Sequence, residues 1–220
     1  MKTALVAGGA GFLGSHMCDR LLDEGYQVIA IDNLHTGSRQ NIAHLYERNT
    51  FNFEEFDILK KYEAECDLIL NFACPASPPK YQADPINTMR VNFEGTLNLL
   101  ELAKRNNATF IQASTSEVYG DPEVHPQPES YRGCVNTVGP RACYDEGKRI
   151  AETLCYEFRE QFSVDTKIVR IFNTYGPRMD PEDGRVISNF LNQALRGNAL
   201  TIFGDGSQSR AFTYVDDLVE

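Results

Sequence analysis

The sequence predicts an α/β fold of the doubly wound kind, a parallel sheet covered on both faces by helices and followed by a smaller lobe. Three observations predict it. Short β-branched runs alternate with longer helical patterns. Those runs are apolar nearly throughout rather than alternating with polar residues, as strands buried on both sides are. The turn between the first strand and first helix is rich in glycine. At 220 residues and 42% apolar content, the chain suffices for one large domain or one domain with part of another.

In order, the strands are expected at "TALVAG", "QVIAID", "FNFEEFD", "DLILNFA", "TFIQAS" and "DTKIVRIFN". Helices are expected over Phe12 to Glu24, in a short piece after the third strand, and over about Asp84 to Arg105 and Cys143 to Gln161. After Asn173 the texture changes to "TYGPRMDPEDGR", so residues 1–173 read as the nucleotide-binding domain and 174–220 as the start of a substrate-facing lobe. A helix over Val186 to Arg196 and a strand at "ALTIFGDG" are expected there. "YVDDLVE" looks like a helix just beginning, and the absence of a cap or polar tail at Glu220 suggests an incomplete lobe.

A formal charge of -10, from 31 acidic and 21 basic residues spread along the chain, makes nucleic acid a poor partner. The opening apolar stretch is broken by glycines almost at once, and no run suits a membrane span, so a soluble, cytoplasmic chain is expected. The 6 cysteines form no C-x-x-C pair and no metal-like cluster; reduced thiols and no metal are the expectation. "NAT" at Asn107 matches a glycosylation sequon, which carries no meaning without a secretory signal.

"LVAGGAGFLGS" sets Gly8, Gly11 and Gly14 at three-residue spacing between strand and helix, with Phe12 and Leu13 among them. Such glycines serve a tight turn, close backbone approach to a pyrophosphate, and packing of helix on sheet. Asp32 ends the second strand, where a carboxylate accepts from the adenosine ribose hydroxyls and repels a 2'-phosphate, so NAD is favoured over NADP. Asn33, Thr36 and Gly37 follow it. Asp57-Ile58 and Phe72-Ala73-Cys74 end the third and fourth strands, at the edge where adenine and the second ribose belong; Asp57 reads equally well as a helix cap.

Tyr144 and Lys148 share a helix face. Spacing alone favours a solvated surface pair. Ser114-Thr115-Ser116-Glu117, however, follows "TFIQA" and opens at the same sheet edge.

This combination resembles the extended short-chain dehydrogenase/reductase family, which implies a Rossmann fold and a working triad of Thr115, Tyr144 and Lys148. The blocks "PASPPKYQADP", "NFEGTLNLLELAKR", "ASTSEVYGDP", "GPRACYDEGKRIAETL", "RIFNTYGPRMDPEDGRVISNF" and "GDGSQSRAFTYVDDL" further resemble its branch of UDP-glucuronic acid decarboxylases. One departure lies in "YRGCVNTVG", where that branch usually has Trp at the position of Arg132 and Asn or His at Cys134.

The resemblance implies conversion of UDP-glucuronate to UDP-xylose through a 4-keto intermediate, with NAD regenerated. Tyr144 would be the acid/base and Lys148 the charge that lowers its pKa and grips the nicotinamide ribose. Thr115 would donate to the C4 oxygen, Glu117 position the sugar, and Arg210 meet the carboxylate or help protonation. Asn173 and Arg185 would hold the UDP part, Arg185 through its planar fork. Ser77 and Tyr81 would line the sugar pocket, a cap or packing role being nearly as good a reading. A 4,6-dehydratase is disfavoured because Ser116 stands where that family carries Asp, and a 4-epimerase because Glu117 is unusual there. A catalytically silent nucleotide-binding protein is the alternative of another class. The two long helices resemble the pair that forms a homodimer interface in this superfamily.

Overall fold

The computed structural model describes residues 1–220. Its main sheet is built from β1 (Thr3–Ala7), β2 (Gln27–Asp32), β3 (Phe51–Glu55), β4 (Leu68–Asn71), β5 (Thr109–Thr115) and β6 (Thr166–Ile171). The order is β3-β2-β1-β4-β5-β6 with every neighbour parallel. Chain order reverses between β1 and β4, so the loops leaving these two strands diverge and open a crevice at the carboxyl edge.

Successive residues of β1 divide between two cores, as the period of a strand requires. Ala4 and Val6 join Val28 and Ala30 against Cys18, Leu21 and Leu22 of α1 (Phe12–Asp23). Leu5 and Ala7 join Ile69 and Phe110 on the opposite face. That face is covered by a helical layer of α2 (Pro78–Ala83), α3 (Pro85–Arg90), α4 (Thr96–Asn106) and α5 (Ala142–Phe162). Leu99, Leu100 and Leu102 of α4 and Cys155 and Phe158 of α5 enter its core. Beyond the sheet lie β7 (Asn173–Tyr175), α6 (Val186–Leu195), β8 (Phe212–Tyr214) and α7 (Val215–Val219).

The expected helix over Asp84 to Arg105 is instead two α-helical pieces joined by a π-helical turn, Val91–Gly95. A Cβ on Gly95 would come within 2.5 Å of Ile58 Cδ1, so the turn is drawn tightly onto the loop after β3. Proline punctuates the approach: Pro78 opens α2 and Pro85 opens α3, where Asp84 Oδ1 accepts the Asn87 N–H at 3.0 Å.

The short helix expected after β3 does not form. Asp57 Oδ1 accepts the Leu59 N–H at 2.9 Å, a local turn that competes with helix. A 3₁₀ helix, Arg39–Leu45, precedes β3 instead, capped by Ser38. Nor is "ALTIFGDG" a strand. Gln193 Oε1 of α6 accepts the Thr201 N–H at 2.9 Å and its Nε2 donates to the Thr201 hydroxyl at 3.0 Å, and Gly204 and Gly206 turn the chain at φ +69° and +80°. β7 pairs in parallel with β8 instead. No helix is long and apolar enough to cross a membrane.

Candidate active site

β1 runs into Gly8, whose φ of +78° suits glycine and whose added Cβ would lie 2.7 Å from the carbonyl carbon of Phe72. The backbone of Phe72 and Ala73, leaving β4, thus passes directly against the turn. Gly11 is the N-cap of α1, and a Cβ on Gly14 would overlap the carbonyl oxygen of Gly8. α1 has no acidic side chain in its first turn, so its free N–H groups and positive end suit a diphosphate.

Asp32 is buried at the end of β2; Oδ1 accepts the Leu34 N–H at 2.8 Å and Oδ2 the Ala10 N–H at 3.1 Å. Burial pushes its carboxyl up, and these two N–H groups pull it back. A carboxylate offers about four lone-pair sites, so two remain for ribose hydroxyls. A Cβ on Gly37 would stand 2.7 Å from Oδ2, which keeps this side of the carboxylate lined by backbone. Asn33 Nδ2 donates to Asp57 Oδ2 at 3.4 Å, so Asp57 serves as a turn-former and a brace for Asn33. The Ile58 side chain belongs to the core.

β5 ends in Ser114 and Thr115. Ser114 Oγ donates to Glu152 Oε1 at 2.5 Å, and Arg170 forks onto the same carboxylate at 2.9 and 2.7 Å, fixing the strand end to α5. Thr115 Oγ1 accepts the Glu117 N–H at 3.3 Å and caps a 3₁₀ turn, Ser116–Tyr119. α5 brings Tyr144 and Lys148, 6% and 4% exposed, beneath that turn. Tyr81 of α2, 1% exposed, stacks on Tyr144.

Lys148 differs from expectation. Its Nζ donates to the Ala113 carbonyl at 2.9 Å and lies 5.9 Å from the Tyr144 ring centroid. The Tyr144 phenol is pushed up rather than lowered: burial dominates, Cys74 and Glu117 raise it further, and only the Thr115 hydrogen bond and the Arg185 guanidinium draw it down. The buried phenol is therefore neutral until a further positive charge stands beside it.

Arg185 also differs. Its fork is engaged by Asp183, with Nη2 3.0 Å from Oδ2, because the carboxylate lies only two residues away. Asn173 Nδ2 donates to the Ala211 carbonyl at 3.1 Å, and Arg210, exposed, donates to the Ser209 carbonyl at 2.7 Å. Ser77 is buried at the N-cap of α2 without a side-chain cap bond, and the Tyr81 hydroxyl has no hydrogen-bond partner. Glu117 pairs with Arg141, a residue that sequence reasoning passed over. Its only sequence signal is its position one helical turn before Tyr144.

One cleft of about 1960 Å³ runs along the carboxyl edge of the sheet. Every candidate site residue lines it, from the glycine turn through Thr36, Ser116 and Tyr144 to Arg210. Pockets for a single small ligand run to about 1,000 Å³, so this space suits two nucleotide-sized molecules.

Residues 4–220 match the sequence profile of the NAD dependent epimerase/dehydratase family. The chain is 54% identical over 218 residues to UDP-glucuronic acid decarboxylase 1 of Danio rerio, covering 99% of this chain and 52% of that protein. UDP-glucuronic acid decarboxylase 1 of Arabidopsis thaliana is 52% identical, covering 98% of this chain and 50% of the relative. The chain spans about half the length of the curated relatives it matches. Among solved structures, UDP-glucuronic acid 4-epimerase from Bacillus cereus, in complex with UDP-glucuronic acid and NAD, superposes with a TM-score of 0.85 at 32% identity, covering 99% of this chain and 70% of that one.

Proposed function

The chain belongs to the NAD dependent epimerase/dehydratase family, and on that premise we propose that it converts UDP-glucuronate to UDP-xylose through a 4-keto intermediate, retaining its NAD. One observation supports the reading: the run Thr115-Ser116-Glu117 lines the same cleft as Tyr144 and Lys148, with the Thr115 hydroxyl within hydrogen-bonding reach of the phenol. It supplies a hydroxyl beside the phenol, a glutamate beyond it, and a serine where dehydration needs an acid for the departing C6 hydroxyl. The identity of 54% to a decarboxylase, against 32% to the solved epimerase, supports the same substrate and chemistry.

The site residues fit NAD. The turn of Gly8 and Gly11 with the start of α1 would hold the diphosphate, Asp32 the adenosine ribose, and Lys148 the nicotinamide ribose. Bound there, NAD supplies the two-electron acceptor that oxidises C4 of the sugar and later reduces it again. With the positive nicotinamide beside it Tyr144 would be a phenolate, which takes the proton of the C4 hydroxyl, and Thr115 hydrogen-bonds the same oxygen. The ketone so formed is β to the C6 carboxylate. The C5–C6 bond breaks, CO2 leaves, and the bonding pair moves onto the C4 oxygen as an enolate stabilised by the Tyr144 and Thr115 hydroxyls. A proton from water adds at C5 and restores the C4 ketone, and as C4 is reduced again Tyr144 returns its proton to the C4 oxygen. Glu117 orients the sugar, and Arg210 meets the carboxylate or assists protonation. Asn173, Arg185, Ser77 and Tyr81 complete the nucleotide-sugar side, Arg185 by exchanging Asp183 for phosphate.

We extend the reading to a homodimer packed through the long helices. Ile86, Met89 and Phe93 lie on one face there and are 67%, 45% and 40% exposed, an apolar stripe suited to a helical partner.

Incubating the protein with NAD and UDP-glucuronate labelled at C6 tests the assignment. Labelled CO2 and a UDP-pentose in equal amounts are expected. Conversion to UDP-galacturonate with the label retained would favour C4 epimerisation, the second reading, which the likeness to the solved 4-epimerase supports.

A further inference from the structure

Arg141 stands where the two halves of the cleft meet. Its carbonyl accepts the N–H groups of Tyr144 and Asp145, both at 3.0 Å, so its backbone opens the helix that bears the phenol. Its guanidinium reaches the other way: Nη2 pairs with Glu117 Oε2 on the turn after β5, and Nε lies 3.9 Å from Asp145 Oδ2. Asp145 is 8% exposed, and its other oxygen, Oδ1, has no hydrogen-bond partner. The Tyr81 hydroxyl in the same wall of the cleft is also unpartnered.

An unsatisfied buried carboxylate oxygen is costly. Burial pushes the Asp145 carboxyl up to about 6; Arg141 draws it down, while Glu117 and Asp121 across the cleft and Glu146 on its own helix push it up. The burial of Tyr81 raises its phenol, on which Arg141, Asp145 and Glu117 act as well. The Arg141–Glu117 pair itself is half exposed, with side chains 49% and 33% accessible, a setting in which ion pairs add little to stability. Its worth is geometric. Misplacing a catalytic group by about 1 Å can cost a factor of about 100 in rate.

We propose that Arg141 is a positioning residue: steadied by Asp145, it holds Glu117 on the strand-end turn in register with Tyr144 on α5. The inference rests on the proposed uronate chemistry, in which Glu117 orients the sugar. A planar fork suits the role better than the point charge of lysine, since it fixes the direction as well as the charge of its partner.

The test uses the intact protein with Arg141→Gln, Arg141→Lys, Glu117→Gln and the double variant R141Q/E117Q. Three quantities are measured: kcat and KM for UDP-glucuronate, and the dissociation constant of NAD by fluorescence titration. Arg141→Gln is expected to lower kcat by about tenfold or more while leaving NAD affinity within about twofold, and Arg141→Lys to recover part of the loss. Adding Arg141→Gln to Glu117→Gln should cost less than about twofold further, because the two changes break one interaction. Equal losses from Arg141→Gln in both backgrounds would overturn the proposal, as would a kcat within about twofold of wild type or a parallel loss of NAD binding. If the wild-type protein releases no CO2, the functional reading fails. The same double-variant cycle on the dissociation constant of UDP-glucuronate then decides the positioning role separately, coupling below about twofold overturning it.

Discussion

The rings of Tyr81 and Tyr144 lie stacked, their centroids 5.0 Å apart and their planes 8° from parallel. A six-residue helix that opens with two prolines thus sets the pose of the phenol on α5. The hydroxyl of Tyr81 has no partner, so Tyr81→Phe should keep the fold as stable as wild type or slightly more so. Tyr81→Ala removes the ring and leaves a cavity, at a cost of about 3–5 kcal/mol. Denaturant unfolding of the two variants measures the difference; equal stabilities would mean that the stack does not support the site.

Tyr144→Phe removes only the hydroxyl and keeps the stack. Turnover should disappear while NAD remains bound at near wild-type affinity. A variant retaining activity within about tenfold, roughly 1.4 kcal/mol in the barrier, would take Tyr144 out of the acid/base role.

Asp32→Asn removes the charge and keeps an acceptor for only one of the Leu34 and Ala10 N–H groups, which bond different oxygens of the carboxylate. Hydrogen bonds to a charged acceptor contribute about 1.5–3 kcal/mol each, so NAD should bind about tenfold or more weakly, with NADP losing less or gaining. Isothermal titration with both dinucleotides measures this, and an unchanged ratio between them would show that Asp32 does not read the ribose.

Asp32 and Tyr144, like the six strands of the main sheet, are legible in the sequence for a physical reason. Buried strands are largely apolar, the glycine turn is read from spacing, Asp32 from its place at the end of the second strand, and the Tyr144-Lys148 pair only beside the strand end Ser114–Glu117. Arg141 and Arg170 are not legible, because each meets a carboxylate far away in the chain, Glu117 and Glu152, and an ion pair of that kind leaves no periodicity. "ALTIFGDG" misleads because strand composition reports only a willingness to pair. Here α6 captures Thr201 first. Arg185 is legible only in part: its nearest partner, Asp183, is visible in the sequence, but the pairing of the two is set by local geometry.

Gly14→Ala and Gly25→Ala separate crowding from conformational strain. The new methyl at Gly14 would overlap the Gly8 carbonyl and displace α1 from the turn, so NAD binding and stability should fall together. Gly25 has open space around it but a φ of +83°, so its alanine variant should lose only about 1–2 kcal/mol and keep NAD affinity. If both variants lost NAD affinity equally, close packing of the turn would not be what the cofactor requires.

Asp145 gives the fold a pH dependence whose sign can be worked out. In the unfolded chain its carboxyl titrates near the ordinary 3.8; in the folded protein burial moves it to about 6. Below both values the carboxyl is protonated in either state and has no effect on stability. Between them the folded protein holds a proton that the unfolded chain has lost. Above both, the folded state bears the cost of a buried charge. The stability linked to this group is therefore fully present at low pH and is lost as the pH rises through about 6. Asp145→Asn carries no such charge, so its stability relative to wild type should rise between about pH 4 and pH 8. Urea unfolding at the two pH values measures that change, and a difference that stays constant or moves the other way would show that the Asp145 charge is not held at a cost in the folded protein.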